Sequence, residues 1–408
     1  MADGYRRGDA AYRRITLALF AAGMTTFVAM YAVQAVLPEL AAEFALTPAG
    51  ATLAVSATTG MLALAVIPAS VLSERFGRVR VMSVSAVASV VIGLVVPLAP
   101  TMGLLVAGRA LQGLVLAGVP ATAMAYLAEE VAGEDLGAAM GRYIAGTTVG
   151  GLVGRVLAAV VLDVTTWRWA LEAAALLSLA FTVDFIRTAP RSRRFQRQQH
   201  GIRATTEHLR GHLRDPLLVM LYATAFLLMG CFVGVYNILG FRLIADPFGL
   251  TASLVGLVFL LYLSGTFSSA LAGRMADRFG RRRILLGCEA VCLAGLAVTV
   301  VDQLAVILAG MLAFTAGFFG AHAVASGWVS AHATRHRAEA SSLYVLAYYL
   351  GSSVLGGVAG VAFAAQSWTG VVGFAGGLVV VALAWCLVGR HRAGQAAPAG
   401  QGGGSAGP

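Results

Sequence analysis

The chain has 408 residues, of which 59% are hydrophobic and only 12% charged, with a formal net charge of +10. That charged share is about half of what a soluble domain carries, so a water-facing globular surface is excluded and lipid is the solvent for most of the chain. The basic excess sits in short segments between apolar runs, which excludes a nucleic-acid-binding face. All 29 basic residues are arginine, a bias that with the abundance of Ala and Gly reads as genome composition, not function.

In chain order, apolar runs bounded by charges, Gly and Pro predict spans near 15–37, 50–72, 81–99, 103–126, 140–162 and 169–186. A second set follows near 217–239, 251–273, 284–301, 304–327, 340–364 and 370–389. Each is long enough to cross a bilayer as a helix, which takes roughly 20 residues, and none shows the short alternation of a barrel strand. The first run is too long for a signal-peptide core and leads into Pro38-Glu39, so it is read as a retained helix. The prediction is an all-α membrane protein of twelve transmembrane helices. Its organisation is a bundle over 1–186, a basic linker over 187–215, a second bundle over 216–392 and a disordered tail over 393–408.

Within the linker, Thr205 to Leu213 can form a short surface helix against anionic headgroups, or remain a solvated loop. The arginines at 6, 7, 13, 14, 75, 78, 80 and 142, those of the linker, and Arg274, Arg278, Arg281, Arg282, Arg283, Arg335, Arg337, Arg390 and Arg392 share one side. By the positive-inside rule that side is cytoplasmic, with both termini inside and only Arg168 and Arg242 outside. Cys231, Cys288, Cys292 and Cys386 all fall within apolar runs, where packing is their expected role; no metal or cofactor is expected.

The most informative feature is a repeat. Glu74-Arg75-Phe76-Gly77-Arg78-Val79-Arg80 after the second span recurs, 203 residues on, as Asp277-Arg278-Phe279-Gly280-Arg281-Arg282-Arg283 after the eighth. The run Gly146 to Gly154 in the fifth span parallels Gly351 to Gly360 in the eleventh at a similar offset. Two matches in register imply two related six-helix halves, the plan of a transporter that rocks two bundles about a central site. The second loop copy, from Gly273 to Arg282, resembles the signature loop of the major facilitator superfamily, with Met275 at the leucine; the first departs from it at Ser70 and Glu74. Arg109-Ala-Leu-Gln112-Gly113 resembles the family's second motif. The segments Phe226 to Gly230, Tyr262 to Thr266, Ala316 to His322, Ala340 to Tyr344 and Tyr348 to Ser352 are similar to the YnfM-type group of bacterial exporters. The resemblance covers residues 15–390. It implies two pseudo-symmetric six-helix bundles in the major facilitator fold and efflux driven by the proton gradient. In this reading Glu74, Arg75, Gly77 and Arg78, and Gly273, Asp277, Arg278, Gly280 and Arg281, form latches at the cytoplasmic helix ends, with the longer Glu74 loosening the first.

Repeat comparison also separates scaffold from function. Arg109 pairs with Met311 and Arg155 with Val361, so both arginines are additions to one half. An arginine near mid-bilayer costs at least about 2.5–3.5 kcal/mol and should face a cavity or a partner. Both are candidates for substrate contact or coupling. The alternative is hydrogen bonding to carbonyls and to Gln34 for Arg109, and close helix packing around Arg155. Tyr31 and Gln34 in the first span and Tyr236 and Asn237 in the seventh repeat an aromatic–amide pair where the bundles should meet, to orient a polar ligand or to bond between helices; Gln112 joins the candidates, as does His322, either a proton relay or a neutral, hydrogen-bonded histidine. Helix-interior carboxylates are missing from the first and fourth spans, and Glu172, Asp184 and Glu289 are read as solvated or paired groups near helix ends. Central arginines without acids suit a neutral or anionic substrate. The expected protein is a monomeric, proton-coupled exporter of a small molecule in the cytoplasmic membrane; an uptake permease or a non-transporting sensor of the same fold are the alternatives. An enzyme is not expected, since there is no phosphate-cradling loop with lysine, no metal-spaced histidine cluster and no soluble catalytic segment.

Overall fold

The computed structural model describes residues 4–195 and 202–393, and among these the regular structure is helical, with one isolated bridge between Tyr5 and Val131. The first half comprises α1 (Ala10–Glu43), α2 (Pro48–Phe76), α3 (Arg78–Leu98), α4 (Met102–Glu130), α5 (Gly133–Leu162) and α6 (Trp167–Thr188). The second comprises α7 (Pro216–Ile244), α8 (Ala252–Phe279), α9 (Arg281–Val298), α10 (Leu304–His332), α11 (337–365) and α12 (368–393). Helices α11 and α12 run on through Gln366 and Ser367, whose non-helical dihedrals mark the kink between them. Ten helices among the described residues are long and apolar enough to cross a membrane. The division at the kink and α9, whose apolar run is interrupted by three opening arginines and Glu289, complete the expected twelve.

Most spans outlast the apolar run that announced them: α2 continues to Phe76 and α4 to Glu130. Their extra turns carry Arg75 and Glu129, polar residues suited to the headgroup layer. Large apolar side chains point outward along the spans, Leu64, Val84, Trp169 and Phe267 being 60%, 63%, 64% and 78% exposed. Such a surface would drive aggregation in water and is at home in lipid.

The halves repeat their packing as well as their sequence. In α5, Gly146, Gly150 and Gly154 lie so close to α1 that an added Cβ would stand 2.4–2.9 Å from backbone atoms of Phe20, Met24 and Val28. In α11, Gly351 meets the backbone of Phe226 in α7 in the same way. Small residues one turn apart let two helices approach until their backbones touch, which supplies the dispersion contact that lipid offers no hydrophobic substitute for. Between halves, α2 crosses α11 and α5 meets α8.

A linker helix, Ile202–His212, forms where the short surface helix was expected. It packs on the start of α11, with His208 stacked on His336 at 3.3 Å between ring centroids and 3.4 Å from Glu339. The preceding stretch belongs to the first half: Glu130 Oε1 accepts from the amides of Arg193 and Arg194 at 2.7 and 3.0 Å. Of the expected tail over 393–408, residues 394–408 lie outside the described residues, and Ala393 is the last residue of α12. Both arginines expected on the outer side meet the acids of that side, Arg168 with Glu43 at 2.7 Å and Arg242 with Asp302 at 2.6 Å.

Candidate functional site at the bundle interface

A chain of three polar side chains crosses from one bundle to the other. Arg155 of α5 donates from Nε to Gln34 Oε1 of α1 at 2.6 Å, and Gln34 Nε2 donates to Asn237 Oδ1 of α7, also at 2.6 Å. All three are at least 95% buried. The α-helical ladder gives way at two places beside them, to 3₁₀ turns over Ala32–Val36 in α1 and Phe259–Tyr262 in α8. Such mid-helix tightening is a recurrent mark of functional hinges, and here it presents Gln34 from one half and two aromatic rings from the other.

Arg155 is held by rings as well as by hydrogen bonds. Its guanidinium carbon lies 4.5 Å from the centroid of Tyr31, 4.8 Å from Phe259 and 4.9 Å from Tyr262, and Nη1 donates to the Gly151 carbonyl at 2.7 Å. Ring faces carry negative potential, so an aromatic cage stabilises a desolvated cation without a carboxylate. Nη2 makes no hydrogen bond among the described residues, and neither do the hydroxyls of Tyr31 and Tyr262. A void of about 10 Å³, room for about one water, lies beside Gln34, Pro38, Tyr236 and Phe259.

The same end of the interface is closed by further contacts. Ser353 of α11 donates to the Ser56 carbonyl of α2 at 2.7 Å, the Ser253 amide of α8 donates to Asp163 of α5 at 3.1 Å, and Gly360 abuts Ala49. Tyr236 turns from the seam into its own bundle, its hydroxyl 2.6 Å from Thr315 and its ring 4.7 Å from Tyr262. His322 lies on the same aromatic face: its Nδ1 is 2.9 Å from the Tyr344 hydroxyl, and its ring is 4.8 Å from Tyr348, itself a neighbour of Tyr31 and Tyr262.

Arg109 and Gln112 are brought elsewhere. Arg109 donates to the carbonyls of Ala29 and Met30 in α1, each at 2.7 Å, to Ala54 in α2 at 3.0 Å and to Gln112 Oε1 at 2.5 Å. Gln112 passes the chain on to the Ser89 carbonyl of α3 at 3.0 Å. The pair therefore ties four helices of the first bundle together, and Gln34 serves Arg155, not Arg109.

The two latch copies differ. Gly77 and Gly280 both turn the chain at positive φ, 98° and 92°, a conformation that strains other residues. In the first copy Arg78 is buried, donates from Nε and Nη2 to Glu129 Oε1 of α4 at 3.0 and 2.8 Å and from Nη1 to Ser73 at 2.6 Å, with Glu74 at 4.0 Å. The acid that holds it is thus Glu129, which the motif did not reveal, and the first latch is the engaged one. In the second, Asp277 and Arg281 make no ion pair among the described residues, and Arg278 lies 5.0 Å over Phe279.

The expected place of Glu289 needs correcting as well. Glu289 is not an end-of-helix group: it sits two turns inside α9, fully buried, and neither carboxyl oxygen has a hydrogen-bond partner among the described residues. Cys288, Cys292 and Cys386 stand near it. Phe259 and Tyr262 are site residues that sequence reasoning did not select; Tyr262 stood in a quoted motif, whereas nothing marked Phe259.

The model of the Major Facilitator Superfamily matches residues 19–243 and 225–407. The chain is 39% identical over 378 residues to the MFS-type transporter YybF of Bacillus subtilis, covering 93% of this chain and 94% of that protein. It is 41% identical over 383 residues to the inner membrane transport protein YnfM of Escherichia coli, covering 93% and 91%. Among solved structures, a bacterial homologue of the human lysosomal transporter Spinster, inward-facing and occupied, superposes with a TM-score of 0.76 at 15% identity over 94% of this chain and 98% of that one. The inward-open xylose transporter XylE of E. coli superposes with a TM-score of 0.70 at 18% identity over 92% and 95%.

Proposed function

This chain belongs to the Major Facilitator Superfamily and is a multi-pass membrane transporter, not an enzyme; from that premise we propose that it exports a small neutral or anionic molecule across the cytoplasmic membrane in exchange for protons. The observation that carries the reading is the Arg155–Gln34–Asn237 chain, a buried polar link made by both halves at one end of their interface. Alternating access requires contacts that close one end and yield when the other closes. The arginine distribution supports cytoplasmic termini, which makes the linked end the outer one.

Substrate chemistry follows from what surrounds the link. A caged guanidinium with a free Nη2 offers a donor to an anion or a carbonyl, and the Tyr31, Tyr262 and Tyr348 rings offer apolar faces. Among the described residues, no acid is bonded to these groups, which supports a neutral or anionic substrate over a cationic one. His322, hydrogen-bonded to Tyr344 and adjoining the same rings, is the proton carrier in this scheme. The likeness to YnfM, an inner membrane protein of E. coli, supports the assigned membrane.

The test starts from a ligand-stabilisation screen on purified protein. Hits are then assayed in proteoliposomes by counterflow and with an imposed pH gradient. Ligand movement that accelerates when the proton gradient drives protons in the opposite direction supports proton-coupled export. A ligand that stabilises the protein but is never exchanged across the bilayer would make the chain a sensor.

A further inference from the structure

The asymmetry of the two latches leaves a feature that transport itself does not use. In the first half, Glu129 and Glu130 end α4 just before its cap at Val131; Glu129 consumes Arg78, and Glu130 holds the linker amides. The repeat ends α10 just before its cap at Ala333, and there the matching pair is Ala331-His332. His332 is taken by Asp215 at 2.8 Å. Arg281, the counterpart of Arg78, therefore meets no acid from α10, and neither Arg281 nor Arg283 makes a hydrogen bond or ion pair among the described residues.

The missing acid leaves room as well as charge. A groove of about 840 Å³ opens at this point, lined by Arg281, Arg282, Arg283, Trp328, Leu286 and Leu387 among others. Asp277 is the one acid on its wall among the described residues. Trp328 stands one helical turn before Ala331, so the face of α10 that would carry an acid is the face that borders the groove. Arg282 is occupied, donating to the Leu387 carbonyl at 2.7 Å. The unpaired amides at the start of α9 add their partial positive charge to that of Arg281 and Arg283.

We infer that this groove, at the cytoplasmic end of the second bundle, binds a phosphate-bearing anion, and that the anion is the headgroup of an acidic phospholipid. Two unpaired guanidiniums and an open helix start recognise phosphate oxygens. Trp328, Leu286 and Leu387 offer an apolar rim suited to the upper acyl chain, which a free anion would not use. Basic pockets between transmembrane helices on the cytoplasmic side suit acidic lipid headgroups in general. The first half is the internal control: in the same loop there, Glu129 satisfies the arginine. The placement on the cytoplasmic side rests on the topology proposed above; the anion site itself does not.

The experiment uses the full-length protein in nanodiscs of phosphatidylcholine doped with increasing phosphatidylglycerol. Lipid retained after release is counted by native mass spectrometry and thermal stability is followed in parallel, with inorganic phosphate as a second arm. The wild type should retain phosphatidylglycerol over phosphatidylcholine and melt higher as its fraction rises. Arg281→Gln and Arg283→Gln should each weaken retention roughly fivefold, the effect of one basic residue at an acidic membrane surface. Ala331→Glu, which restores the acid of the first half, should abolish it by closing the latch onto Arg281. Arg80→Gln, in the first copy, should leave it unchanged. Phosphate that stabilises as well as the lipid does, with the same dependence on arginine, would keep the anion site and move its source to the cytosol. Retention that is equal for both lipids, or that survives both Arg281→Gln and Ala331→Glu, would overturn the inference.

Discussion

Replacing Arg109 with methionine tests whether that arginine is a scaffold or a working group. The side chain makes four hydrogen bonds, at 2.5–3.0 Å, to acceptors on α1, α2 and α4. Charge-assisted bonds contribute roughly 1.5–3 kcal/mol each, so the gross interaction is about 6–12 kcal/mol. Against it stands the desolvation of a buried guanidinium, several kcal/mol, which the variant no longer incurs. The acceptor carbonyls belong to helices and retain much of their own bonding, whereas Gln112 Oε1 is left with no donor. The net loss should be about 3 kcal/mol, which for a bundle of this size lowers the melting temperature by roughly 6–12 °C. The assay is thermal unfolding of Arg109→Met and wild type in the same detergent, with transport followed in proteoliposomes at low temperature, where the folded fraction is high. A variant that melts within about 2 °C of wild type yet transports nothing would refute the scaffold argument and return Arg109 to the working site.

Arg155→Met should do the reverse, lowering transport by at least roughly tenfold, as loss of a ligand contact of about 1.4 kcal/mol or more would, with a smaller melting shift than Arg109→Met; counterflow and melting on one preparation decide it. Asn237→Ala removes the inter-bundle hydrogen bond of the polar chain, a loss of about 1 kcal/mol, so the outward-open population should rise roughly fivefold, read from the accessibility of a cysteine placed at Ala252. Asp215 caps α7 through the Leu217 and Leu218 amides and accepts from His332. Burial raises its carboxyl pKa, but the His332 and amide hydrogen bonds outweigh that and hold it below the usual value. Its contribution is therefore complete above about pH 4, the unfolded carboxylate value, and fades as pH falls through the depressed folded value; Asp215→Ala should cost about 1 kcal/mol at pH 7, a gap that narrows only in strong acid on a melting-versus-pH series. Glu129→Gln strips the buried Arg78 of its counter-charge and should cost about 1–3 kcal/mol, measured by denaturation, with the first loop gaining protease sensitivity.

Much of this architecture could be read from residues, because the bilayer imposes one requirement on every span. A run such as 217–239 has no soluble alternative, and its neighbour in space follows from the glycines of the repeat. Arg155 and Arg109 looked alike in sequence, each a lone arginine at similar depth in one half. What separates them is the identity of the nearest acceptors: three backbone carbonyls for Arg109, and an amide shared with the other half for Arg155. Carbonyl partners leave no trace in a sequence, since every residue has one. The aromatic cage was hidden for a related reason. Phe259 reaches Arg155 through the 3₁₀ turn of α8, which rotates it relative to an ideal helix. Glu289 was misplaced because arginines at its helix start suggested a polar end, whereas burial depends on which face of α9 meets the bundle.

The construction of the polar link bears on how the halves can part. When Gln34 and Asn237 separate, Arg155 keeps the Gln34 oxygen, the Gly151 carbonyl and the Tyr31 ring, all from its own bundle. It loses Phe259 and Tyr262, which come from the other bundle. Parting the link therefore never leaves the cation without partners, and the link's own share of the penalty is two cation–π contacts of roughly 0.5–2 kcal/mol each and one amide hydrogen bond of about 1 kcal/mol. In the proposed scheme a penalty of that size is small enough for a bound ligand to offset. A salt bridge in the same place would have resisted separation by more, since parting it would strand a charge on each side. In the proposed scheme, an amide and aromatic rings in place of a carboxylate let a buried arginine stand at a moving interface.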